Sequence, residues 1–187
     1  MMGRIDWRNA GLGALALAVL LFLIALFVVL TGSYNVAADE RHTPLVGWAT
    51  STTMRNSVQS RASDLKAPAI RPAMVVKGGG QYKAMCQHCH GGVGIEREEW
   101  AQGMLPKPPA LAGAAKDWTP EEVFWLVKHG VKMSGMPAFG GSHDDQTIWS
   151  IAAFVKAMPT MSAEQYAAVP SEKSGHGEAS DGHDHSH

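Results

Sequence analysis

The sequence predicts an all-α protein: a compact helical domain behind a single N-terminal helix long enough to cross a bilayer. Three observations carry this. Gly11 to Leu30 is an unbroken uncharged, apolar run (GLGALALAVLLFLIALFVVL). Two later segments combine helix start and stop signals with a 3.6-residue apolar repeat. No segment alternates polar and apolar residues as a half-buried strand would. The 187 residues, 45% apolar with a net charge of −1, suit one domain with extensions. The 16 basic and 17 acidic residues are interspersed, so there is no electrostatic footprint for nucleic acid, and that class is set aside.

In chain order, residues 1–10 carry Arg4 and Arg8 against Asp6, and the positive-inside tendency puts them in the cytoplasm. Residues 11–30 form the transmembrane anchor. A cleaved signal peptide ending near Val36-Ala37-Ala38 is the rival, but the run outlasts a signal core of about 7–15 residues. Residues 31–75 are Ser/Thr/Ala-rich and broken by Pro44, Pro68 and Pro72, as in a periplasmic stalk or connector. Within them Leu45 to Ala62 lacks proline, and Trp48, Met54 and Val58 would form an apolar strip if it were helical. A solvated stalk is the favoured reading; the alternative is an element that docks a membrane partner.

The compact domain is expected over residues 76–170. Its first helix runs from about Gly79 into a Cys-rich motif. The second opens with Thr119-Pro120-Glu121-Glu122, which supplies an N-cap, a first-turn proline and a capping glutamate, and stops at Gly130. The third runs from about Asp144 to Met158, with Ile148, Ile151, Ala152 and Val155 on one face and Pro159 ending it. Residues 171–187 lack any large apolar side chain and should form a disordered tail. Their His176, His183, His185 and His187, with Asp181 and Asp184, offer loose metal contacts, but ordering entropy favours a solvated tail. His42 and His143 read as surface residues.

The chemistry centres on Cys86-Gln87-His88-Cys89-His90. Two thiols separated by two residues suit a disulfide, a redox dithiol, half a zinc site or haem attachment, and the histidine directly after the second cysteine decides for haem. The thiols add to the two vinyl groups, and His90 is carried under the iron as an axial ligand. A zinc site wants a second ligand pair, and outside the polar tail there is no second Cys pair and no His-x₃₋₅-His; a thioredoxin-like dithiol wants an α/β surround, which the pattern does not give. Covalent attachment takes place outside the cytoplasmic membrane, so the domain is expected on the periplasmic side, in agreement with the charge bias at the N-terminus.

A six-coordinate electron-transfer haem needs a second ligand, and Met136 is the best candidate. It lies in Ser134-Gly135-Met136-Pro137-Ala138-Phe139, a non-helical loop in which Gly135 allows close approach and Pro137 stiffens the chain. Met133 competes, Met104 less so, and core filling is the default for the remaining methionines. Phe139 can pack at the haem edge. Pro106, Pro108 and Pro109 with Leu111 form either a plain rigid loop or a source of the carbonyl that orients an axial histidine. Trp125 and Trp149 either touch the haem or fill the core, the latter favoured. His129 suits the end of its helix rather than iron. Lys107, Lys128, Lys132 and Lys156 could form a positive rim.

With these residues in hand, residues 76–160 resemble a class I c-type cytochrome of the membrane-anchored, single-haem bacterial kind. The resemblance rests on Cys86-Gln87-His88-Cys89-His90-Gly91, the Pro-Pro-Ala-Leu loop, the Thr-Pro-Glu-Glu helix, Gly135-Met136-Pro137-Ala138-Phe139 and the final helix with Trp149. It implies crossed first and last helices, with Gly79 and Tyr82 against the face around Trp149 and Ala153. It further implies His90/Met136 ligation of one covalent haem c, a Pro108 or Pro109 carbonyl holding His90, and one exposed haem edge.

The function expected is electron transfer without bond chemistry, so no catalytic residue is assigned. Partners would be membrane-bound redox complexes, whether a dehydrogenase, a quinol-oxidising complex or a terminal oxidase, met along the lipid bilayer of the bacterial inner membrane. The chain would serve as a tethered shuttle or a bound subunit. A haem sensor or enzyme with an open iron position, and metal handling through the His-rich tail, are the alternatives.

Overall fold

The structure, a computed structural model, describes residues 6–171; the readings placed on Arg4 and on the histidines of the tail lie outside them. The chain divides into two units, Met1–Glu40 and Arg41–His187.

The first unit contains α1 (Trp7–Thr31). The Asp6 carboxylate accepts from the backbone N–H groups of Arg8 and Asn9 at its start, and Gly32, at φ 63°, turns the chain out at its end. Its 25 residues have no buried member. At about 1.5 Å per residue the helix is about 37 Å long, against a hydrocarbon core of roughly 30 Å. It is long and apolar enough to cross a membrane.

The second unit contains α2 (Pro44–Ala62), α3 (Pro72–Met85), α4 (Gln87–His90), α5 (Glu99–Gln102), α6 (Leu111–Ala114), α7 (Pro120–His129), α8 (Asp145–Ala157) and α9 (Ala163–Ala168). No strand occurs among the described residues; Gly92 and Ile95 form one isolated bridge. The all-α expectation therefore holds.

The core is built where α3 crosses α8. A β-carbon at Gly78 would stand 1.8 Å from the Ser150 carbonyl oxygen, and one at Gly79 would fall 2.8 Å from the Phe154 ring. Glycines here let two helix backbones touch. The crossing differs in detail from the expected one: Gly78 makes the closest approach, to Ser150, and Tyr82 meets the rings of Phe154 (5.4 Å) and Tyr166 (6.5 Å). Ile148, Ile151, Phe154 and Val155 on α8, with Val123, Phe124 and Val127 on α7, fill the space between.

The capping box of α7 forms as the sequence requires, with Thr119 Oγ1 accepting from Glu122 N and the Glu122 carboxylate accepting from Thr119 N at 2.7 Å. Asp144 caps α8, accepting from Thr147 N at 2.7 Å, and a 3₁₀ turn over Met158–Thr160 follows it. Helix α3 starts at Pro72 rather than near Gly79, because a proline at the first turn and tertiary contact outweigh the weak propensity of three consecutive glycines.

The segment read as a connector departs most from expectation. Helix α2 lies within it and packs on α7, with Val58 and Ala62 buried, the Arg55 guanidinium 4.7 Å from the Trp118 ring centre, and Ala67 N donating to Glu121. The helix left open over Leu45 to Ala62 does form, and its buried side chains, Val58 and Ala62, both fall in its second half. Trp48, on the first half, is 65% exposed.

Candidate haem site

Helix α3 ends at Cys86, whose N–H donates to the Tyr82 carbonyl, and α4 begins there, so a single turn carries the attachment motif. His90 N donates to the Cys86 carbonyl at 2.9 Å. Cys86, Cys89 and His90 are spaced i, i+3, i+4 and share one side of that turn. Both cysteines are free and half-buried. Burial foremost, and then the neighbouring Cys89, push the Cys86 thiol up to about 12. A redox dithiol needs a lowered pKa, so this is a poor site for one.

The residues flanking the motif are held from a distance. Tyr82 Oη, fully buried, donates to the Gly91 carbonyl at 2.8 Å, and Tyr166 Oη donates to Gln87 Oε1 at 2.7 Å. A β-carbon on Gly92 would be 2.5 Å from the Tyr166 ring, so α9 closes tightly over the motif. His88 lies 3.7 Å from the Glu98 carboxylate on the exposed side.

The His90 ring points Nδ1 at the Pro109 carbonyl oxygen, 2.8 Å away. Burial is the largest influence on its pKa and lowers it; the Pro109 carbonyl works in the opposite direction, and the Arg97 charge lowers it further. The neutral ring bonded to a carbonyl carries its proton on Nδ1, which leaves the Nε2 lone pair available to a metal. Of the two prolines expected to supply that carbonyl, Pro109 does so. The Pro108 carbonyl accepts from Arg97 Nη1 at 2.6 Å instead.

Met136 is half-buried and packs against the core cluster. Its N–H donates to Ser134 Oγ, and its carbonyl accepts from Val131 N, each at 3.2 Å. Gly130 has φ 66°, and a β-carbon there would be 2.7 Å from the Met136 carbonyl oxygen. Met133 is 95% exposed, and Met104 lies over Gly135, where a β-carbon would stand 2.1 Å from its methyl. Burial therefore favours Met136 over Met133.

Phe139 is half-buried against the core and meets His143 edge-on at 5.8 Å. Trp125 meets His129 in a tilted contact at 4.7 Å, while Trp149 stacks on Phe124 at 4.0 Å with 16° between the planes, a core-filling contact.

Two free thiols and an imidazole whose Nδ1 is taken by a carbonyl, all on one turn, are a donor set that fits a covalently attached haem. Sequence reasoning did not reach Arg97, Gln87 or Tyr166. Their contacts join residues 11 and 79 positions apart, which no local pattern encodes.

The sequence model of a family described as cytochrome c oxidase, cbb3-type, subunit III matches residues 73–155. These run from the start of α3 almost to the end of α8 and include the whole Cys86–His90 motif. Searches of curated proteins and of solved structures returned no match. A cytochrome c domain implies covalently bound haem c and an electron-transfer role. Helical architecture, attachment motif and family match agree, and residues 73–155 of this chain are a c-type cytochrome domain.

Proposed function

We propose that the chain is a membrane-tethered electron carrier with one haem c, joined by thioether bonds to Cys86 and Cys89 and ligated by His90 and Met136. It would pass single electrons between redox complexes facing the periplasm. The match to an oxidase subunit points to a respiratory oxidase as the acceptor or host complex. The observation that carries the reading is the His90 Nδ1 to Pro109 bond of 2.8 Å on a histidine directly following the paired thiols. With Nδ1 engaged by that carbonyl, Nε2 is the ring nitrogen left to a metal.

Bound haem supplies a one-electron iron couple. The chain's own work is to hold and insulate it. Cys86 and Cys89 would fix its position, His90, oriented by the Pro109 carbonyl, would hold the iron, and Met136, on the Val131–Met136 turn, would supply a thioether, a ligand that favours reduced iron. A tether such as α1 confines the domain near one bilayer and raises its effective concentration toward partners in that membrane.

Ferric wild-type protein should show the weak methionine-to-iron charge-transfer absorption, and the reduced form should bind CO slowly. Met136→Ala should abolish the band and admit CO while both thioether bonds persist. Wild-type protein without the band and with rapid CO binding would establish an open iron position and overturn the carrier reading. Co-purification of the intact chain in mild detergent separates subunit from free shuttle, since a subunit is recovered with its complex.

A further inference from the structure

We propose that Arg97 is a positioning residue for His90, acting through the proline loop; this rests on the reading of His90 as an axial ligand. An axial imidazole is oriented, and its basicity set, by whatever accepts its far N–H. Here that acceptor is the Pro109 carbonyl, and a carbonyl holds a ring only as firmly as its own loop is held. Pro108 and Pro109 have no backbone N–H, so neither residue can tie this stretch with a donor of its own. The donor comes from outside, as Arg97 Nη1 on the Pro108 carbonyl at 2.6 Å, one peptide away from the bond to His90. A bond from an ionised donor is about twice as strong as a neutral one.

The backbone delivers Arg97 to this place. Gly91, at φ 69°, turns the chain directly after His90, and a β-carbon there would be 2.7 Å from the Ile95 carbonyl oxygen. Gly92 and Ile95 then exchange backbone bonds of 2.8 and 3.3 Å, and Glu98 N donates to the His88 carbonyl at 2.9 Å. Arg97 is thus pinned on both sides by the motif it follows, and it lines the same cleft as His90 and Lys107. The ring and the proline loop are tied twice, once through His90 itself and once through Arg97, and the guanidinium closes the second tie.

The test reads the His90 Nδ1–H of the reduced holoprotein by NMR, as its exchange rate with solvent. Arg97→Met keeps the aliphatic stem and removes every donor; it should speed that exchange by about tenfold, the equivalent of one ordinary hydrogen bond. The exchange of core amides such as Ile151 should not change. Arg97→Lys retains one charged donor, which is all the Pro108 carbonyl accepts, and should restore most of the protection. An Nδ1–H rate in Arg97→Met equal to wild type, or core amides accelerated to the same extent, would overturn the proposal. If Arg97→Met yields no holoprotein, Arg97→Ala and Arg97→Lys replace the comparison with the same criteria, and equal Nδ1–H exchange in Arg97→Lys and Arg97→Ala overturns it. Wild-type spectra without a His-ligated haem would instead refute the ligand assignment and be recognised before any variant is made.

Discussion

A β-carbon at Gly130 would stand 2.7 Å from both the Met136 carbonyl oxygen and the Pro137 carbonyl carbon, at a φ of 66° and ψ of −170° that is essentially open only to glycine. Gly130→Ala should therefore displace the Met136 turn rather than merely strain it. The expected result is loss of the methionine charge-transfer band with haem still covalently attached, and a stability loss of about 2–3 kcal/mol by denaturant titration. At this scale much was legible. The placing of Cys86, Cys89 and His90 on one turn follows from their spacing, and the non-helical setting of Met136 from its glycine and proline neighbours. Gly130 was legible only as a helix stop. That it also admits the Met136 backbone depends on a fold-back between residues 130 and 136 that no spacing rule specifies. Arg97 carried no local signal at all.

Between elements, the α3–α8 crossing depends on Gly78 more than on any large side chain. Gly78→Ala would drive a methyl group to 1.8 Å from the Ser150 carbonyl oxygen, where only backbone movement relieves it. A destabilisation of about 3 kcal/mol is expected, measured by thermal unfolding of the holoprotein. Gly103→Ala makes a fair control, since its nearest neighbour would be 3.9 Å away. The boundaries of α7 and α8 were legible because their signals are local: a capping box at Thr119, an aspartate cap at Asp144, a glycine and a proline at their ends. Helix α3 was misplaced at its start for the opposite reason. Gly78-Gly79-Gly80 weakens a helix taken alone, and only the partner helix shows why no side chain is tolerated there. The short α9 is held by a Ser162–Gln165 capping box that is visible in the sequence, but its purpose, Tyr166 on Gln87, is not.

At the scale of the whole molecule, the compact unit begins at Arg41, ahead of the region matched by the family. Removal of residues 1–40 should leave a protein that purifies without detergent and keeps the full-length visible spectrum. Removal of residues 1–66 also takes α2, and with it buried Val58 and Ala62 and the Arg55–Trp118 contact. That form should be less stable by about 3 kcal/mol, summing one buried aliphatic side chain and an exposed cation–π pair. Equal unfolding midpoints for the two truncations would show that α2 contributes nothing.

The sequence by itself determined the motif and the secondary structure that carries it: thiols and histidine on one turn, an apolar helix earlier in the chain, two well-capped core helices and, among the described residues, no strand. These are set by covalent spacing and by side chains acting within a few residues of their own backbone. Only the tertiary structure decided which proline carbonyl holds His90, that Arg97 braces it, that three glycines are a contact surface rather than a break, and that α2 belongs to the compact unit. Each of those depends on two distant segments meeting, and that is an outcome of packing and burial rather than of local propensity.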